Sequence, residues 1–254
     1  MNKKLTVTQY SVENQVAKIL FCRPKEMNAL NQAMREELLY CLQTAADDNS
    51  VKAIVLTGSG KSFGSGQDLS EDLDIERGAL RTIEDHIKPI IAKITATPKP
   101  VISAVNGVCV GVSVGIALAC DLAIMSSKAS LIVPFSKLGL IPDGGITWHL
   151  ARQLGPKKAY EIIISGGAIS ATECLNLGLV NKMVEPEELE EASKLWAESI
   201  ATGIPLSMHH AKEAVKAALD ADLLNTVSRE ALLQQTCSDS DEFKTAIHAF
   251  KNRS

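Results

Sequence analysis

Apolar residues recur along this chain in two rhythms, and the switches between them predict its elements. Leu5 to Val12 and Gln15 to Cys22 show strand character, and Glu13-Asn14 reads as the turn between them. The spacing then lengthens. Met34, Leu38, Leu39, Leu42 and Ala45 return every three or four residues, which predicts an amphipathic helix starting at Gln32 with Asn31 as its cap. Val51 to Thr57 and Val101 to Val105 are apolar runs closed by Gly58-Ser59-Gly60 and by Asn106-Gly107, and read as buried strands. Between them, Ile83, Ile87, Ile90, Ile91 and Ile94 mark a helix over 81–95. Pro89 inside it predicts a kink or break, because proline has no N–H to donate. Val112 to Cys120 predicts a buried helix of small residues.

The second half is mostly helical in rhythm. Helices are predicted over 145–154, 156–165, 170–176, 185–202, 205–221, 223–237 and 240–251, with one short strand from Leu179 to Val184. Ser170 with Glu173 three residues on forms a capping box. Strand–helix alternation followed by helices predicts an α/β core over 1–200 and a helical C-terminal part over 201–254. No short repeat or low-complexity linker divides the chain.

Composition narrows the class. The chain has 254 residues, 46% hydrophobic and 22% charged, enough for one large domain with a substantial core. A net charge of -4 and the lack of a basic block argue against a nucleic-acid partner. No apolar segment follows Met1-Asn2-Lys3-Lys4, so no secretory signal is expected. The longest apolar stretch, near Val108 to Cys120, is short and broken by glycine, so no membrane span is expected. Six scattered cysteines without a C-x-x-C pair read as buried free thiols of a cytoplasmic protein. His209 and His210 are adjacent, which on a helix turns them in different directions, and no metal site is expected.

The richest chemistry lies in Gly139 to Gly145. It holds Asp143 in a turn ahead of a helix, with no second carboxylate close by in sequence. A lone acid suits reversible proton movement on carbon better than addition of water. The competing reading is that Asp143 caps the helix starting near Gly145.

Arg23 to Leu30, Ser62 to Leu69, Lys99 to Gly107, Cys120-Asp121, Lys137 to Gly145 and His248 to Lys251 carry a set of motifs in a fixed order. Together these segments resemble the crotonase superfamily, the enoyl-CoA hydratase/isomerase family. Phe135 to Asp143 looks most like the isomerases of phenylacetate degradation. The resemblance implies an α/β spiral of β-β-α units with a helical C-terminal trimerisation region. The partners it implies are an acyl-CoA substrate and copies of the same chain in a homotrimer or hexamer. Coenzyme A comes with the substrate, so no separate cofactor is expected.

By motif position, the resemblance makes the Gln67 and Val112 amides the donors that hold a thioester enolate. One such donor is typically worth about 3–4 kcal/mol. Family members usually have a small residue at the second position, so Val112 is a departure whose side chain could narrow the pocket. Asp68 is expected to fix its loop through hydrogen bonds. Family hydratases use two glutamates, and the matching positions here are Gly115 and Phe135, neither of which can move a proton. Asp143 matches the isomerase carboxylate, expected to take a proton from C2 and return it to C4. Candidates for coenzyme A are Arg23, Lys25, Ala29, Gly66, Asp68 and Leu69, with Phe250 and Lys251 from a neighbouring subunit. The acidic stretch from Ser70 to Ala79 is expected to border the acyl pocket. The remaining alternatives are a hydratase or related lyase, and an acyl-CoA-binding protein without turnover.

Overall fold

The computed structural model describes residues 3–71 and 78–252. Most of the stretch expected to border the acyl pocket, residues 72–77, therefore lies outside the described residues. Strands β1 (Thr8–Glu13) and β2 (Val16–Phe21) form an antiparallel hairpin. Its turn is Asn14-Gln15, one residue later than the sequence pattern suggested. Both turn residues take positive φ, 48° and 66°, as tight hairpin turns require. Helix α1 (Gln32–Asp47) follows, and the Asn31 side chain accepts the Met34 N–H as its cap.

Next come β3 (Ala53–Gly58) and β4 (Ser62–Gly64), then a helical stretch of α2 (Gly78–Thr82), a π turn (Ile83–Ile87) and α3 (Lys88–Ala96). The kink expected from Pro89 takes the form of this π turn. The wider turn relieves the clash of the proline ring with the carbonyl four residues back, and the helix continues. Strands β5 (Val101–Val105) and β6 (Val108–Val110) lead into α4 (Val112–Ala119). Strands β7 (Leu122–Ser126) and β8 (Ser130–Ile132) lead through a 3₁₀ turn (Phe135–Leu138) into α5 (Ile146–Ser165). Gly155, at φ 77° and ψ 164°, divides α5 where two helices were expected. Then follow β9 (Ala168–Ser170), α6 (Ala171–Asn176) with the Ser170–Glu173 capping box, and β10 (Lys182–Val184). The chain ends in α7 (Leu189–Ala201), α8 (Pro205–Ala218), α9 (Leu223–Asp239) and α10 (Asp241–Lys251).

Strand pairing makes the fold a spiral. One sheet has the order β1-β2-β3-β5-β7-β10 and the other β4-β6-β8-β9. The pairs β3-β4, β5-β6 and β7-β8 each give one strand to each sheet before a helix returns the chain. Equivalent strands of successive turns pair in parallel. On β3, Ile54 and Leu56 face the main core, while Ala53 and Val55 face α7 through Leu189, Ala197 and Ala201. Both faces of this strand are covered, so its sequence is a continuous apolar run. By contrast, α8, α9 and α10 contribute no buried residue. Helix α8 is held to the core by Lys212, whose Nζ donates to Asp121 Oδ2 at 2.6 Å and to the Ile94 carbonyl at 3.0 Å.

Candidate active site

Three glycine-containing segments converge at one end of α4. The first is the Asp143 turn. Gly144 and Gly145 take left-handed φ of 59° and 81° before α5 begins. A Cβ at Gly144 would lie 3.1 Å from Val112 Cγ2, and a Cβ at Gly115 would lie only 2.5 Å from the Gly144 carbonyl oxygen. Helix α4 and the acidic turn are therefore in direct backbone contact. Asp143 is half-buried, and among the described residues its buried Oδ1 has no hydrogen-bond partner. Burial pushes its carboxyl up to about 6. Its side chain does not cap α5, whose N-cap is Gly145 without a side-chain bond.

The second segment carries Gln67. Leu30 and Gln67 form a parallel bridge, in which the Leu30 N–H donates to the Gly66 carbonyl at 2.8 Å and the Asp68 N–H donates to the Leu30 carbonyl at 3.3 Å. That pattern spends the groups on either side of Gln67 and turns its own N–H away from Leu30. The third segment is the start of α4, where Val112 takes the first helical position. Its N–H consequently has no acceptor within the helix. The two loops touch: a Cβ at Gly66 would lie 3.1 Å from the Val110 carbonyl oxygen, and a Cβ at Gly111 would lie 3.7 Å from Gly66 Cα. Ser113 Oγ, fully buried, accepts the Gly66 N–H and ties them together. The Val112 side chain is itself buried, with Cγ2 against Gly144. Its departure from a small residue thus supports the acidic turn.

An apolar cavity of about 320 Å³ adjoins this turn. Ile83, Ile87, Lys88, Ile91 and Ala92 line one side and Gly144-Gly145 the other. The isoleucines were legible as a helical stripe, but their role beside Asp143 was not. A larger cleft of about 550 Å³ lies behind the first sheet, lined by residues such as Lys18, Asn106 and Glu190, away from these segments.

The coenzyme A candidates divide. Asp68 is buried; it pairs through Oδ2 with Arg23 Nη1 at 2.7 Å and accepts from Ser70 through Oδ1. The Ser70 hydroxyl, then Arg23, hold its carboxyl below the usual range despite burial. Arg23 Nη1 also donates to the Ala29 carbonyl, so Arg23, Ala29 and Asp68 form a clamp under the loop. Lys25 and Leu69 are exposed, and Gly66 is buried at the junction just described. Phe250 and Lys251 lie on α10, which packs on α9, and Phe250 is exposed.

His149 is buried, its ring edge-on to half-exposed Trp148 at 4.8 Å. Burial, then the charge of Lys216, pushes it down to about 4, so it is neutral at pH 7. The rings of His209 and His210 lie closer than the sequence suggested, 5.1 Å apart, and with Glu213 bring ligand-type atoms within 4.8 Å of one another. Glu213 already uses Oε1 for Arg229 and Oε2 for His210. Sequence reasoning missed Arg35, a buried cation in the first turn of α1 that reaches the Gln67 loop. Its neighbours Met34 and Leu38 predicted the helix, but nothing in that rhythm marks a polar slot as buried.

The spiral fold and a cavity-lined acidic turn define an α/β enzyme of the crotonase type. The family model for enoyl-CoA hydratase/isomerase matches residues 11–254. A probable enoyl-CoA hydratase of Rhodobacter capsulatus is 35% identical over 95% of this chain and 93% of its own. The 1,2-epoxyphenylacetyl-CoA isomerase of Escherichia coli is 31% identical over 94% of this chain and 93% of its own. Among solved structures, an enoyl-CoA hydratase from Bacillus anthracis superposes with a TM-score of 0.92 at 31% identity, covering 98% of this chain and 97% of its own. The chain belongs to the enoyl-CoA hydratase/isomerase family, whose members are enzymes acting on acyl-CoA substrates. Among the described residues, no helix is long and apolar enough to cross a membrane.

Proposed function

We propose that the protein is an enoyl-CoA isomerase that shifts a double bond from the 3,4 to the 2,3 position. The observation that carries this reading is Asp143, with one carboxylate oxygen buried and, among the described residues, unpartnered beside an apolar cavity. Asp143 takes a proton from C2 of the bound thioester. The resulting dienolate oxygen is held by the Gln67 and Val112 N–H groups, and the same carboxyl returns a proton to C4. The acyl chain lies in the cavity between Ile83, Ile87 and Ile91 and the Gly144-Gly145 turn. Arg23, Lys25, Ala29, Gly66, Asp68 and Leu69 border the path of coenzyme A, and Phe250 and Lys251 reach it from a neighbouring copy. Coenzyme A arrives with the substrate, no separate cofactor is required, and the enzyme works in the cytoplasm as a homotrimer or hexamer.

The packing at Gly115 supports isomerisation over hydration. An acid there would have to displace the Gly144 backbone, and Phe135 at the other water-activating position is buried and apolar. Several relatives are named as hydratases, which favours hydration as the second reading. Separate assays with a 3-enoyl-CoA and a 2-enoyl-CoA, followed by the absorbance of the conjugated thioester, decide between them. Growth of that absorbance from the 3-enoyl substrate is expected; its rapid loss from the 2-enoyl substrate instead would establish the hydratase. Asp143→Asn is expected to lower isomerisation by at least ~10²–10⁴-fold while CoA-ester binding survives.

A further inference from the structure

We infer that Arg35 is the positioning residue for the Gln67 oxyanion donor, an inference that rests on the proposed isomerase site. Arg35 is 6% exposed on the inner face of α1. Its Nη1 donates to the Leu30 carbonyl at 2.8 Å and to Gln67 Oε1 at 3.0 Å. The Leu30 carbonyl is also the acceptor for the Asp68 N–H, half of the bridge that turns the Gln67 N–H outward. One guanidinium thus grips both the bridge and the side chain of the donor residue.

Glu71 closes the arrangement from the other end. Its Oε2 pairs with Arg35 Nη2 at 3.2 Å, and its Oε1 accepts the Gln32 N–H at 2.6 Å, in the first turn of α1. Both ends of the segment 67–71 are therefore fastened to one helix. A buried guanidinium is unfavourable unless its donors are used. Arg35 uses Nη1 and Nη2 on this loop and its flanking bridge, while its buried Nε has no partner among the described residues. The planar fork fixes the angle between its acceptors; a lysine ammonium carries the charge but not the angle. A small tilt of the Gln67 peptide would misaim a donor whose value depends on alignment.

The test uses a 2-enoyl-CoA ligand labelled with ¹³C at the thioester carbonyl, bound to wild type, Arg35→Lys and Gln67→Met. Gln67→Met keeps the main-chain donor and removes the Oε1 acceptor, so it serves if Arg35→Lys does not fold. Wild type is expected to move the carbonyl resonance downfield. Both variants are expected to lose most of that shift and to lower kcat ~10–100-fold, with KM within about threefold. A structural role alone would lower thermal stability and leave the shift of the bound carbonyl intact. Full retention of shift and kcat in the folded variants overturns the inference. An unshifted carbonyl in wild type removes Gln67 as donor, and the Arg35 role falls with it.

Discussion

In the proposed reaction Asp143 carries the chemistry because it is costly to ionise where it sits. Its carboxyl is raised to about 6 by burial, so it is a stronger base than an exposed aspartate yet ionised at neutral pH. kcat/KM is expected to be flat above pH 7 and to fall about tenfold per pH unit below about 6, measured with the 3-enoyl substrate. A midpoint near 4 would show that this carboxyl is not the base. The same shift bears on stability. A carboxyl raised above its unfolded value adds stability that is full below the unfolded value, near 4, and lost as pH rises through about 6. Asp143→Asn is therefore expected to raise Tm at pH 8 relative to wild type, with the difference shrinking towards pH 4. At this scale the sequence was half legible. The turn and its acid could be read from Pro142, Gly144 and Gly145. Whether the carboxylate faced solvent, a helix end or a cavity depended on Val112 and Ile87, distant in sequence.

Among elements, α4 and the acidic turn are in close contact. A Cβ at Gly115 would meet the Gly144 carbonyl oxygen at 2.5 Å, backbone against backbone, with no flexible side chain to yield. Gly115→Ala is expected to cost about 1–3 kcal/mol in urea denaturation, the usual range for overpacking, and to lower turnover by displacing Asp143. Gly115→Glu is expected to give no useful hydration, whereas measurable hydration by that variant would show that the turn can move aside. Helix α1 was read with its cap because sixteen residues hold several periods of one stripe. The second sheet was not read. Strands β4, β6, β8 and β9 have three residues each, too few for an alternation to register, and their pairing is fixed by other turns of the spiral.

At the scale of the whole molecule, the imbalance between core and C-terminal helices asks for a partner. Leu223, Leu224, Leu232 and Phe250 are each more than 70% exposed, and α8 to α10 bury nothing of their own. Large apolar side chains repeated along one end of a chain mark an association surface. Lys212, held by Asp121 and the Ile94 carbonyl, keeps α8 at a fixed angle to α3, whose Ile91 lines the proposed acyl cavity. Association through these helices would thus bear on a wall of the proposed site. Sedimentation is expected to give three or six copies of the 27.2 kDa chain. Leu224→Glu with Leu232→Glu is expected to shift that mass to the monomer without loss of core helicity, since neither side chain packs in the core. If Phe250 and Lys251 reach coenzyme A across the interface, the monomer will also bind CoA esters more weakly than the assembly. A double variant that keeps the wild-type mass would show that copies do not meet through α9.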